Sequence, residues 1–287
     1  MRDRLRVRKT YKLYVGGAFP RSESGRSYPI AGSDGALLAH AAQASRKDVR
    51  DAVVAARKAA PGWARATAYN RGQVLYRVAE MLDGRRDQFA AEVSAAEGVS
   101  TAKALSTVDE SVDRWVWYAG WADKYAQVAG ASNPVAGPYF NFSMPEPTGV
   151  VGVLAPQDSS LLGLVCVVAP VIATGNTAVV VASEHRPLPA VSLTEVFATS
   201  DLPGGVVNLL TGRTGELAPW LASHRDVNAI DLTGAEPGAT VTALQQAAAD
   251  NVKRVYVPRH VDWYADPGTS RLGAFVETKT VWHPIGV

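Results

Sequence analysis

The chain has 287 residues, 47% of them hydrophobic and 20% charged, with a formal net charge of +2. These values belong to a soluble globular protein of one large α/β domain or two ordinary ones, and they exclude disordered and collagen-like classes. The charge is too small to argue for nucleic acid, and the single cysteine, Cys166, rules out an internal disulfide or a cysteine metal site.

The basic start at residues 2–9 reads as a solvated tail, and no apolar run follows it that would make a secretory signal. Residues 13–19 predict a strand with a tight turn, and 27–30 and 36–41 predict further short strands divided by Gly32-Ser33-Asp34-Gly35. Ser45 reads as an N-cap, with Asp48 in the first turn and Val49, Ala52, Val53 and Ala56 on one helical face. That helix is expected to stop at Pro61-Gly62. Residues 71–82 and 86–97 repeat the helical pattern. A third helix over 102–128 carries Trp115, Trp117, Tyr118, Trp121 and Tyr125, which helix packing explains better than base stacking. Residues 139–144 alternate as a strand of exposed or interface character.

From Gly149 the pattern changes to strands at 149–155, 178–182, 206–210, 228–232 and 254–257. They alternate with helices near 160–174, 190–199, 217–223 and 239–249. Such alternation predicts a parallel sheet covered on both faces, the doubly wound Rossmann-like architecture that binds ligands at strand C-termini. The nearest approach to a membrane span, residues 161–182, is broken by Gly163, Pro170 and Gly175-Asn176. No membrane contact and a cytoplasmic location are therefore expected. Residues 258–270 lack periodicity, and 275–282 read as a terminal strand that needs a neighbour.

Single residues offer little chemistry of their own. Cys166 sits within an apolar helix and reads as a structural thiol. His40, His185, His224, His260 and His283 are scattered without metal-ligand spacing, so surface or capping roles are expected. Gly212-Arg213-Thr214-Gly215 is neither a dinucleotide fingerprint nor a Walker loop; Arg213 reads as an exposed loop arginine, with contact to a phosphate the alternative.

Three stretches together resemble the aldehyde dehydrogenase superfamily. They are Gly152-Val153-Leu154-Ala155-Pro156 opening a helix; Ala169-Pro170 to Gly175-Asn176-Thr177 with Glu184 and Pro187 beyond; and Leu202-Pro203-Gly204-Gly205-Val206-Val207-Asn208 to Thr211-Gly212, followed by Ser223-His224-Arg225-Asp226-Val227 and Thr233-Gly234. Tyr14-Val15-Gly16-Gly17 is similar to the family's N-terminal portion, and Val276-Glu277-Thr278-Lys279-Thr280-Val281 to its C-terminal strand.

The resemblance implies N-terminal strands and helices of a cofactor-type domain at 1–130, an arm strand at 131–150, a Rossmann-like core at 151–258, and a β-strand for oligomerisation at 271–287. A linker at 259–270 stands in place of the family's catalytic domain. The resemblance also implies a site for NAD or NADP involving Pro156, Glu184, Gly212, Thr233 and Gly234, with weak or absent binding expected. Glu184 matches the family's ribose-binding glutamate, although a solvated carboxylate at a strand end remains the alternative. Val181 stands where the family has a ribose-binding lysine, Asp158 where it has an oxyanion-holding asparagine, and Pro258 where it has the general-base glutamate. An ionised carboxylate donates no hydrogen bond, and proline accepts no proton. No catalytic or metal-binding residue is therefore assigned. The expectation is a subunit inactive alone that assembles with a full-length aldehyde dehydrogenase or with itself, its strands at 139–144 and 275–282 finding partners in another chain. The alternatives are a component of an NAD(P)-dependent aldehyde-oxidising complex that still holds cofactor, or a free nucleotide-binding module.

Overall fold

The computed structural model describes residues 9–258 and 261–286. Most of the expected basic tail and the surface role expected of His260 lie outside those residues. In chain order the elements are β1 (Thr10–Tyr11), β2 (Ser27–Ala31), β3 (Leu37–Ala42), α1 (Arg46–Arg65), α2 (Ala68–Asp83), α3 (Arg86–Glu97), α4 (Thr101–Trp121), α5 (Tyr125–Ala129), β4 (Ala131–Asn133) and β5 (Tyr139–Pro147). They continue with β6 (Val150–Leu154), α6 (Leu162–Ala173), β7 (Thr177–Val181), α7 (Leu188–Phe197), β8 (Val207–Leu210), α8 (Thr214–Ser223), β9 (Ala229–Asp231), α9 (Ala239–Ala249), β10 (Arg254–Tyr256), α10 (Ser270–Gly273) and β11 (Val276–Pro284).

The central sheet is parallel throughout, in the order β10-β9-β6-β7-β8, and it is doubly wound as the alternation predicts. Period-2 alternation sorts its side chains onto two cores. Val151, Val153, Ala178, Val180, Val207 and Leu209 face α2, α4, α6 and α7, whereas Val150, Leu154, Val179, Val181, Leu210 and Ile230 face α1, α8 and α9. Burial on both faces explains why these strands read as unbroken apolar runs. Every residue of α6 is buried, so that helix carries no polar face.

The structure departs from the predicted elements at four places. Residues 13–19 make no ladder strand: Gly16 and Gly17 both take positive φ, 62° and 84°, which turns the chain after Tyr14 has bridged to Leu209. Helix α1, capped by Ser45 and Asp48 in a reciprocal box, runs on past Pro61-Gly62 to Arg65. Trp63 holds that extension, 2% exposed and donating from Nε1 to the Ile172 carbonyl at 2.9 Å. The third helix is broken after Trp121, where Lys124 N–H donates to the Trp121 carbonyl at 3.1 Å and the chain restarts as α5.

The fourth departure concerns the arm. The strands expected to pair with another chain pair with each other: β5 and β11 run antiparallel from Val276↔Pro147 to Pro284↔Tyr139, and β4 adds a third strand. Phe275, the first residue of the strand expected to pair with another chain, is instead 1% exposed within this one, and its carbonyl accepts from Asn176 Nδ2 at 2.8 Å. The arm therefore begins beyond Phe275. What it still presents to solvent is Tyr139, Phe140, Met144, Trp282 and Ile285.

Candidate functional site

In the strand order β8-β7-β6-β9-β10 the direction of winding reverses between β6 and β9. A parallel α/β sheet opens a ligand crevice at such a point, beyond the strand C-termini. The structure has a cavity of about 820 Å³ there, walled by Leu154, Gln157 and Asp158 after β6, by residues 233–237 after β9, and by α8 and α9. Gly234 makes the crevice possible, because a Cβ on it would lie 1.9 Å from the Ala155 carbonyl oxygen. Asp231 fixes the same turn by accepting from the backbone N–H of Thr233 at 2.9 Å and from its hydroxyl.

Of the residues expected at a nucleotide site, Glu184, Thr233 and Gly234 line this cavity together. Pro156 is buried beside Gly163 at the start of α6, and Gly212 packs against Ala44; neither belongs to the cavity wall. Glu184 is held in place rather than solvated. Arg213 donates to its Oε1 at 2.6 Å, the Thr214 N–H donates to its Oε2 at 3.0 Å, and the Gln157 side chain fixes its backbone N–H at 2.9 Å. Burial alone would push its carboxyl up, but the Arg213 and Thr214 hydrogen bonds outweigh burial and hold it below the usual range.

The reading of Glu184 on sequence missed both of these partners. The only signal for them was that Gly212-Arg213-Thr214 leads into the apolar pattern of α8, which places backbone N–H groups at a helix start. Thr214 is also informative in itself, since its buried hydroxyl on the cavity wall has no partner among the described residues. An orphaned hydroxyl beside a fixed carboxylate suits a ligand rich in hydroxyl groups. The first turns of α8 and α9 reach the same wall, and unpaired N–H groups at a helix start suit a phosphate. Electrostatics oppose that phosphate. Asp158, Glu184 and Glu236 line the cavity, and among the described residues no lysine or arginine does. Val181, where a lysine would reach the ribose, is fully buried in the sheet.

The profile of the aldehyde dehydrogenase family matches residues 21–258 of the chain. The chain belongs to the aldehyde dehydrogenase family. It is 31% identical over 250 residues to cytosolic aldehyde dehydrogenase 1 of Elephantulus edwardii, covering 85% of this chain and 49% of that protein. Identity is 32% over 261 residues to the cytosolic 10-formyltetrahydrofolate dehydrogenase of Mus musculus, covering 88% of this chain and 28% of that protein. Among solved structures, the NAD+ complex of the Bacillus cereus aldehyde dehydrogenase superposes with a TM-score of 0.80 at 27% identity, covering 86% of this chain and 50% of that one. The chain thus spans about half the length of the aldehyde dehydrogenases it matches.

Of the two positions where the resemblance implies chemistry, Asp158 lies on the wall of the α8 and α9 cavity and Pro258 on the other side of the sheet. Pro258 follows β10 and lines a smaller cavity that Cys166 also reaches. Cys166 is 6% exposed, and burial pushes its thiol up to about 11 against the opposing pull of Arg114 and Arg271. A thiol in that state is a poor nucleophile near neutral pH. Asp158, where the resemblance implies an oxyanion-holding asparagine, is exposed, and its carbonyl accepts from Arg186 at 2.7 Å. Among the described residues no group of His, Cys, Asp and Glu could hold a metal, and no helix is long and apolar enough to cross a membrane.

Proposed function

We propose that the chain is an aldehyde dehydrogenase family subunit that keeps a weakened NAD(P) site, does not oxidise aldehydes alone, and acts by assembling with a full-length aldehyde dehydrogenase or with itself. The observation that carries this reading is the arm. Outside the buried Phe275, the β11-β5-β4 sheet leaves Trp282 57%, Phe140 49% and Tyr139 43% exposed beside its unpaired outer edges. Burying what remains of each such side chain is worth on the order of 1–2 kcal/mol, and a partner sheet would also satisfy the edge.

The cofactor part rests on Glu184, the orphaned Thr214 hydroxyl and the helix starts, which would hold a ribose and phosphate. NAD(P) would supply the hydride acceptor of aldehyde oxidation. The inactivity rests on Pro258 and on the buried, protonated state of Cys166. Phe140→Glu combined with Trp282→Glu tests the assembly, because both side chains are about half exposed and leave the core untouched. In size-exclusion chromatography with light scattering, the wild-type chain should elute as an oligomer, or with an added aldehyde dehydrogenase, and the double variant as a monomer. A wild-type monomer at micromolar concentration that ignores added aldehyde dehydrogenase would refute the assembly role.

A further inference from the structure

The wall of the α8 and α9 cavity divides into an apolar part and an acidic part. Ala218 and Pro219 from α8, with Ala243 and Ala247 from α9, bring no charge and leave space for a flat apolar ring. Beyond them stand Asp158, Glu184 and Glu236, and among the described residues no lysine or arginine joins them on the wall.

The three carboxylates are not equivalent. Glu184 is paired with Arg213 at 2.6 Å, and 20% of its side chain stays exposed to meet a ligand. Its two oxygens offer about four acceptor sites, of which Arg213 and the Thr214 N–H use two, so a diol can still donate to it. Asp158 has a guanidinium beside it, since Arg186 donates to its carbonyl at 2.7 Å. Glu236 is exposed, stands two residues before Gly238, the N-cap of α9, and has no ion-pair partner among the described residues. The start of α9 is equivalent to about half a positive charge, which the full charge of one carboxylate outweighs. The start of α8 adds little. Three of its four leading N–H groups are engaged, that of Thr214 by Glu184 and those of Glu216 and Leu217 by the Arg213 carbonyl.

We propose that Glu236 is a specificity residue of this crevice, turning phosphates away so that the site takes an uncharged nucleoside in preference to a nucleotide. The inference rests on the ribose part of the cofactor reading and sharpens it, because the phosphates are then what weakens NAD. The ribose diol donates to Glu184 and the base lies on the apolar wall, and neither contact needs a cation. A 5′-phosphate brings roughly two negative charges at pH 8 and meets Glu236 with no cation on the wall to offset it.

Calorimetry on the intact chain, with adenosine, AMP and NAD as probes, tests this at low ionic strength and at pH 8, above the range in which histidine ordinarily titrates. Adenosine should bind about threefold to tenfold more tightly than either AMP or NAD, and about 0.5 M salt should shrink the gap. Glu236→Gln, at an exposed position outside the core, should shift the AMP-to-adenosine affinity ratio toward AMP about fivefold, and Glu236→Lys should make AMP the tighter ligand. AMP or NAD binding the wild-type chain at least as tightly as adenosine, or an affinity ratio that ignores both substitutions, would overturn the proposal and leave the cofactor reading standing. Binding of none of the three would sink that reading as well.

Discussion

Arg271→Met would remove the one counter-ion of a carboxylate that has no access to water. Asp231 at the end of β9 is 0% exposed in its side chain, and Arg271 in α10 is 8% exposed. Without the guanidinium, Asp231 keeps the N–H and hydroxyl of Thr233 as donors but no positive charge. Breaking a buried pair by removing one partner costs about 3–5 kcal/mol. Loss of the cation over the Tyr256 ring, 4.9 Å from its centroid, adds about 0.5–1 kcal/mol. Urea unfolding at pH 7.5 should therefore show the variant roughly 3–6 kcal/mol less stable. The pH dependence fixes the cause. Burial already pushes the Asp231 carboxyl up, and Arg271 opposes that push, so the variant's carboxyl rises further. A carboxyl with a raised folded value favours the folded state below its unfolded value of about 3.9 and loses that contribution as pH rises through the folded value. The gap between variant and wild type should consequently narrow as pH falls from 7.5 toward 5, and Asp231→Asn in the variant background should recover much of the loss at pH 7.5. A gap below about 1 kcal/mol, or one that stays constant between pH 7.5 and 5, would refute the account.

Three further outcomes are expected. Glu184→Gln should weaken NAD binding by about tenfold in calorimetry, as expected for one charge-assisted hydrogen bond worth about 1.5–3 kcal/mol less what the amide retains, and unchanged affinity would place the ribose elsewhere. The purified chain should give no NADH from aldehydes with NAD, or NADPH with NADP; turnover that survives Cys166→Ser and repurification would mean that a catalytic group has been overlooked. With its thiol pushed up to about 11, Cys166 should react with iodoacetamide at pH 8 on the order of a hundredfold more slowly in the folded chain than in urea, so equal rates would show it to be accessible.

The strands of the central sheet were legible because burial on both faces leaves unbroken apolar runs such as Val150–Leu154 and Thr177–Val181 between turn residues. Glu184, Thr233 and Gly234 were singled out only through the resemblance to the aldehyde dehydrogenase family, and all three line the one cavity. Other features were hidden because their causes are distant in the chain. Pro61-Gly62 is a local stop signal, overridden by the contact of Trp63 with Ile172. The partner of β5 is β11, more than a hundred residues away, and alternation marks a strand without naming its neighbour. Arg271 directly follows the aperiodic residues 258–270, and nothing there distinguishes a buried arginine from a solvated one. Its role depends wholly on Asp231, which is equally unremarkable in the sequence of β9.

The segment that follows β10 gives these contacts a common consequence. A doubly wound sheet exposes its strand ends to whatever the chain places over them, and here a strap, residues 261–269, covers the α4 and α6 side. Tyr264 hydrogen-bonds to the Thr107 hydroxyl at 2.8 Å and lies under Lys103, the carbonyls of Trp263 and Ala265 accept from Arg114, and Arg271 reaches Asp231. Phe275 then enters the core before β11 joins the arm. Arg114 and Arg271 line the cavity that Pro258 and Cys166 share, and Arg271 also donates to the hydroxyl of Thr233, on the wall of the α8 and α9 cavity, at 3.3 Å. The strap thus covers the side that holds Pro258 and Cys166, while the α8 and α9 crevice and the outer face of the arm lie elsewhere on the molecule. Because Glu184 and the exposed arm residues are far apart in the fold, the two experiments are independent: loss of the arm's oligomer should leave NAD affinity unchanged, and Glu184→Gln should leave the oligomer intact.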